Sequence, residues 1–330
     1  MSAAAFDTIP QVDISPLFGR PSAARDVVDR AIDRACREIG FLVVTGLPDE
    51  ALLSPERRAS LLRLFSIPPD AQRRLWRRKF APEARTLYRG YFPLQRGVAA
   101  YKEGIDLGPD PAPAKRHPLI EENPWPTEDD LPGWRADVLA YRKAMEGVGT
   151  ALLQSLARAL GLAEDHFAQA FDQGNGTLRL LHYPPRSAES YIGLDRPYRD
   201  HQGARYPIMT REHSDSGCLT LLAQLDQPGL QAENGAGQWI DVPCLPDSLA
   251  INLGDLMERW SAGRYRATRH RVLALQGGSR YSLPFFFEPA VDAVIEPLPG
   301  TGSEAYPAVV YGDYLIEKVK AFPEFSDFLA

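Results

Sequence analysis

Residues 177–289 break into seven short apolar runs, TLRLLHYPP, CLTLLAQL, GLQAE, QWIDVP, SLAINLGD, HRVLALQ and RYSLPFFFEP, divided by Gly, Pro, Asn and Asp. Short strands at this spacing cannot each cover their own apolar face and must close on one another as a sandwich or barrel. The chain ahead of them reads differently. SAARDVVDRAIDRACREIG sets Val28, Ile32, Cys36 and Ile39 on one helical face and ends at Gly40, the usual place for a helix-terminating glycine. Between Leu131 and Leu162, Leu139, Met145, Val148, Leu152, Leu156 and Leu160 form the stripe of a spine helix of about seven turns, longer than the mean. IPQVDIS and FLVVTGL read as strands, residues 54–81 as helix interrupted by IPPD, and 82–132 as loops over the core. Helices first and strands second give an α+β protein. Residues 1–174 form a mainly helical region packed on a jelly-roll (double-stranded β-helix) core at 175–330, together one integrated unit.

Composition narrows the partners. With 37 Lys+Arg against 43 Asp+Glu, and no stretch that gathers the basic residues, nucleic acid is excluded as an expected partner. No segment has the apolar length of a membrane span, and the start lacks a signal-peptide pattern, so a cytoplasmic protein is expected. Oligomeric state is not written in the sequence. Cys36, Cys218 and Cys244 are too scattered for a disulfide framework and read as small core residues. Trp239 and Trp260 also read as core.

REHSDSGCLTLL places His213 and Asp215 two positions apart before an alternating run. Chance supplies such a pair about 0.4 times in a chain with ordinary Asp content and this many histidines, so a third ligand decides its meaning. His270 opens HRVLALQ 55 residues after Asp215. Two His and one carboxylate can occupy one face of a metal and leave the other open, the arrangement of non-haem Fe(II) oxygenases; a hydrogen-bonded core histidine is the alternative. Arg280 and Ser282 share one face of the next strand. Buried in a roll, the guanidinium needs an anion, and its fork with a neighbouring hydroxyl suits a carboxylate; a surface strand face is the alternative.

With these residues in place, the chain resembles the isopenicillin N synthase-like group of Fe(II)/2-oxoglutarate-dependent dioxygenases over most of its length. The shared running order is IPQVDIS, REIGFLVV, NPWP, LRLLHYPP, HSDSGCLTLL, GLQ, WIDVP, INLGD, GRYRATRHRV and RYSLPFFFEP. The resemblance implies Fe(II) held by His213, Asp215 and His270, with 2-oxoglutarate held through its far carboxylate by Arg280 and Ser282 and reached by Tyr183. It further implies O2 as cosubstrate and ascorbate as accessory reductant. Ser214 stands where Thr is more common, and Leu181-His182 replace the Asn-Tyr of plant members, so that asparagine's contact is absent.

The implied reaction couples decarboxylation of 2-oxoglutarate to succinate and CO2 with hydroxylation, desaturation or cyclisation of a small molecule, as in natural-product biosynthesis. Two other readings remain at this level: an oxidase of the isopenicillin N synthase or aminocyclopropane carboxylate oxidase type, in which Arg-x-Ser holds the substrate, and a non-catalytic ligand-binding jelly roll. A zinc hydrolase fits poorly, for want of a placed general base. Residues 184–212 make a long connection before the pair and are expected to form a lid. Candidate substrate contacts are Arg179, Tyr88, Tyr91, Tyr101, Lys102, Tyr206 and Phe286. Asn252, Gly254 and Asp255 of INLGD read as turn and packing residues.

Overall fold

The computed structural model describes residues 7–95, 97–98, 101–320 and 325. Helix Ala23–Glu38 is capped by the Ser22 side chain, which accepts from the Arg25 amide. It ends at Gly40, where φ is +66° and a Cβ would lie 2.2 Å from the Arg266 carbonyl oxygen, so both backbone conformation and space demand glycine. The spine helix runs Trp134–Ala159 and buries Val138, Tyr141, Met145, Val148, Leu152 and Leu156. At Gly149 it lies against the sheet below, with Phe287 2.6 Å from where a Cβ would stand.

The seven strands expected in the second half are all present: β5 (Thr177–Tyr183), β8 (Leu219–Ala223), β9 (Leu230–Glu233), β10 (Trp239–Asp241), β11 (Leu249–Leu253), β12 (His270–Leu273) and β13 (Arg280–Phe287). So are β1 (Gln11–Asp13) and β2 (Phe41–Thr45). Six more were not evident from the pattern, two of them the short pair Val294–Ile295 and Val309–Val310, which forms a separate two-stranded sheet. β3 (Gly90–Phe92) and β4 (Glu103–Leu107) lie in the stretch read as loop, and β6 (Tyr198–His201) and β7 (Ala204–His213) occupy much of the expected lid.

Strands β1 to β13 form two curled sheets, β1-β2-β11-β8-β13-β5-β4-β3 and β10-β9-β12-β7-β6. They make a double-stranded β-helix, with β1–β2 parallel and the other strand pairs antiparallel. The N-terminal region therefore does more than pack helices on the core: it supplies four of the eight strands of the larger sheet. β4 is hard to read because it carries only two apolar residues, Ile105 and Leu107. Its other face offers Gly104, where the Phe92 ring leaves no room for a Cβ, and Asp106, buried and paired with Arg77 and Arg179. β7 runs unbroken through Pro207, which interrupts its residue pattern, and its register with β12 shifts.

Strand alternation sorts the larger sheet's residues. Leu178, Leu180, Phe285 and Phe287 belong to the core shared with the spine helix. Thr177, Arg179, Leu181 and Tyr183 on β5, with Arg280, Ser282 and Phe286 on β13, face the other way, and cross-strand pairing aligns Tyr183 with Arg280, Leu181 with Ser282 and Thr177 with Phe286. Cys36 and Cys218 are buried as expected, but Cys244 is only half-buried. Trp260 is core, whereas Trp239 is half-buried beneath the Arg271 guanidinium, 4.2 Å from its ring centre; it lies on the short β10, too near the sheet edge for burial.

Candidate active site

β7 ends on His213 and β12 begins on His270, and the two are direct cross-strand partners. Asp215 follows in the turn into β8, so the pair from one sheet meets the residue that leads into the other. One ligand atom from each of the three lies within 4.8 Å of the others. Hydrogen bonds fix which atoms these are. His213 Nδ1 is 2.8 Å from the Arg211 carbonyl oxygen and His270 Nδ1 is 3.1 Å from that of Thr268. A carbonyl can only accept, so both Nδ1 atoms carry the proton and both Nε2 lone pairs are free. Asp215 Oδ2 accepts from Thr220 Oγ1 at 2.5 Å and Asn252 Nδ2 at 2.8 Å, leaving Oδ1 3.6 Å from each Nε2.

Electrostatics keep His213 and Asp215 in their metal-binding forms. Burial and the neighbouring His270 lower His213 to about 4, so its imidazole is neutral near pH 7. Burial pushes the Asp215 carboxyl up, but the two histidines and the bonds from Asn252 and Thr220 outweigh it and hold the group below the usual carboxylate range. Two imidazole Nε2 atoms and a carboxylate oxygen with converging lone pairs fit a divalent metal with two nitrogen ligands and one oxygen ligand.

INLGD does more than turn and pack. Asn252 aims Asp215; Gly254 lets the backbone approach where a Cβ would lie 2.3 Å from the Gly217 carbonyl oxygen; and Asp255 accepts from Ser214 Oγ at 2.9 Å while its amide donates to the Asp215 carbonyl at 2.8 Å. The inward phase of β11, which puts Asn252 opposite Thr220, is the signal that could have found it. Replacing Asn252 with Ala is expected to weaken Fe(II) affinity about 10–100-fold, the usual cost of removing a ligand's hydrogen-bonding partner, measured by anaerobic metal titration; unchanged affinity would show that Thr220 alone aims the carboxylate.

Arg280 is 5% exposed, and its Nε and Nη2 have no hydrogen-bond partner among the described residues; Nη1 has only a long 3.4 Å contact to Ser282 Oγ. Burial lowers its pKa. The guanidinium lies over the Tyr183 ring at 5.4 Å, and Tyr183's hydroxyl is 3.1 Å from Thr210 Oγ1. Two orphaned nitrogens of a buried fork are the complement of an absent carboxylate.

A cavity of ≈ 520 Å³ opens beside His213 and Asp215. Of the expected substrate contacts, Tyr88, Lys102, Arg179 and Phe286 line it; Tyr91, Tyr101 and Tyr206 do not. Tyr91 is fully buried, its hydroxyl donating to Glu103 and accepting from Gln72. Tyr101 lies under Arg186, 4.9 Å away. Tyr206 packs with Ile208, Leu273 and Leu275, because the register shift breaks the alternation that would have aligned it with cavity-lining Thr210. In the stretch expected to form a lid, Leu194 and Asp195 line the cavity and Arg211 Nη2 donates to the Asp195 carbonyl at 2.6 Å, while the second half is the β6–β7 hairpin, whose Thr210, Arg211 and Glu212 also line it. Glu288 was missed. It continues the Arg280, Ser282, Phe286 phase one step past β13, lines the cavity, and is pushed up by burial to about 7.

A jelly roll presenting two imidazoles and a carboxylate beside an unsatisfied buried arginine defines the non-haem iron oxygenase class. Residues 175–289 match the family described as the 2OG-Fe(II) oxygenase superfamily, and residues 9–128 that described as non-haem dioxygenase in morphine synthesis N-terminal. The chain is 33% identical to 2-oxoglutarate-dependent dioxygenase citB of Monascus ruber, over 89% of this chain and 88% of that one. It is 31% identical to homoarginine-6-hydroxylase 2-ODD-233 of Oryza sativa subsp. japonica, over 95% and 97%. The crystal structure of a full-length Neurospora crassa protein in complex with alpha-KG and thymine superposes with a TM-score of 0.79 at 26% identity, covering 95% of this chain and 96% of that one. The chain belongs to the 2OG-Fe(II) oxygenase superfamily and is an Fe(II)/2-oxoglutarate-dependent oxidoreductase. No helix among the described residues is long and apolar enough to cross a membrane.

Proposed function

We propose that the enzyme oxidises a small molecule held in the cavity beside His213 and Asp215, with His213 Nε2, Asp215 Oδ1 and His270 Nε2 as the iron ligands. Arg280, Ser282 and Tyr183 then hold the far carboxylate of 2-oxoglutarate. The orphaned Arg280 nitrogens carry this reading, since they give a buried charge the carboxylate it lacks. When bound, Fe(II) couples decarboxylation of 2-oxoglutarate by O2 to oxidation of the substrate. The residues' own task is placement: Thr268, Arg211, Asn252 and Thr220 orient the ligands, Arg280 fixes the cosubstrate at the end away from the cavity, and Leu194 and Asp195 limit water at the opening. The thymine held by the Neurospora crassa relative supports a substrate of that order of size. We place this activity in the cytoplasm, on small molecules and not on nucleic acid.

The test is succinate release. Anaerobically Fe(II)-loaded protein given 2-oxoglutarate and O2 is expected to form succinate slowly alone, faster with substrate, and not at all after chelation of the metal. Oxygen uptake without succinate would instead mark an oxidase in which Arg280 holds the substrate.

A further inference from the structure

Apart from the metal ligands, six charged side chains line the cavity, and four have partners of opposite charge. Arg179 is paired with Asp106 at 2.5 Å, Arg211 with Asp195 at 3.6 Å, and Glu212 with Arg199 at 2.6 Å. Two are left. Lys102 is half-buried and, among the described residues, has neither an ion pair nor a side-chain hydrogen bond, although its charge is felt at His213. Glu288 is 5% exposed; its Oε2 accepts from the Tyr311 hydroxyl, while Oε1, set against Gly217, accepts no hydrogen bond among the described residues. Gly217 keeps that space open, since a Cβ there would lie 2.3 Å from Oε1.

An unpaired ammonium and an unpaired carboxyl in one cavity are costly in the empty protein and become favourable only when a ligand supplies both complements. We propose that the substrate is bipolar: a carboxylate-class anion pairs with Lys102, and an N–H donor, amine, guanidine or urea, hydrogen-bonds to Glu288. The carbon to be oxidised lies between them, beside the metal ligands, with the Phe286 ring as apolar wall. Strand geometry is consistent with two separated poles. Lys102 stands just before β4, two residues ahead of Gly104, which pairs with Leu181, whereas Glu288 stands beyond the far end of β13, next to the turn that carries Asp215. The ligand is therefore extended. Arg89 and Arg179 near Glu288 do not satisfy it: Arg89 bonds Thr177 and Asn175, and Arg179 bonds Asp106. Burial raises the Glu288 carboxyl, and a cationic N–H donor beside Oε1 favours the ionised form that accepts there.

This inference rests on the cavity being the substrate site, and the test separates the two. The full chain, loaded with redox-inert Mn(II) and 2-oxoglutarate, is titrated calorimetrically with ω-amino, ω-guanidino and ω-ureido acids of increasing chain length. Their carboxamides, which lack the anion, and plain alkanoic acids, which lack the donor, serve as comparisons. At least one bipolar series is expected to bind about 10- to 100-fold more tightly than either comparison, the worth of one charge-assisted hydrogen bond. K102M should reduce the acid to the affinity of its carboxamide, with K102R restoring most of it. E288Q, near-isosteric and still able to accept from Tyr311, should narrow the gap to the alkanoic acid for the cationic probes. Carboxamides or alkanoic acids binding as well as the bipolar probes, variants that leave the differences intact, or no bipolar probe binding to protein that does bind 2-oxoglutarate would each overturn the inference. Failure of 2-oxoglutarate itself to bind would instead remove the underlying assignment.

Discussion

His270→Ala is expected to abolish iron-dependent succinate formation and to weaken Fe(II) binding by more than about 100-fold, beyond the 10–100-fold usual for losing only a ligand's supporting partner. The expectation follows from how few ligand atoms the protein offers. Asp215 Oδ2 is committed to Thr220 and Asn252, and both Nδ1 atoms to backbone carbonyls, so three lone pairs remain and His270 supplies one. No other group of His, Cys, Asp and Glu among the described residues converges to replace it. His270 also packs edge-on against Phe41, with ring centres 5.5 Å apart, so the variant leaves a small cavity and some loss of stability is expected. Metal titration separates the two effects: a folded, cooperatively melting His270→Ala protein that still turns over would remove His270 from the ligand set.

Much of this site was legible because iron and carboxylate chemistry leave residues at fixed phase. His213 and Asp215 flank one position, and Arg280 and Ser282 another. What escaped the sequence is held by long-range pairing. Asn252 looks like a turn residue until β11 lies beside β8 and its amide meets Asp215. β4 looks like loop because its inward positions are spent on Asp106, whose charge makes sense only once Arg77 and Arg179 arrive from two other segments. Tyr91 and Tyr206 look like substrate contacts because aromatic residues near a site read alike whether they face a cavity or a neighbouring side chain, and the shift in β7 register carries no residue signature. Glu288 is the instructive omission: the two-residue phase that singles out Arg280 and Ser282 runs on to it, but an acid after FFF reads as a strand end until Gly217 and Tyr311 enclose it.

Arg280→Ala should raise the 2-oxoglutarate concentration needed for half-maximal succinate release by at least about 30-fold, in line with the roughly 2–5 kcal/mol lost when one partner of a buried, hydrogen-bonded charge pair is truncated. Lysine at this position should recover only part of the loss, because a single ammonium cannot reproduce the fork. Stability distinguishes this role from a structural one. In the free protein the guanidinium is buried with Nε and Nη2 unsatisfied, so its removal discards an uncompensated charge, and the melting temperature without 2-oxoglutarate should hold or rise despite the space left behind. With the metal-loaded protein, saturating 2-oxoglutarate should raise the melting temperature of the parent by mass action and leave that of Arg280→Ala nearly unmoved at the same concentration. If the variant melted lower without ligand yet kept its 2-oxoglutarate dependence, the arginine would be holding the sheet together and the cosubstrate carboxylate would have to lie elsewhere. A carboxylate held by Arg280 would be anchored between β5 and β13, and the cavity side lined by Lys102, Phe286 and Glu288 would then be left to the substrate.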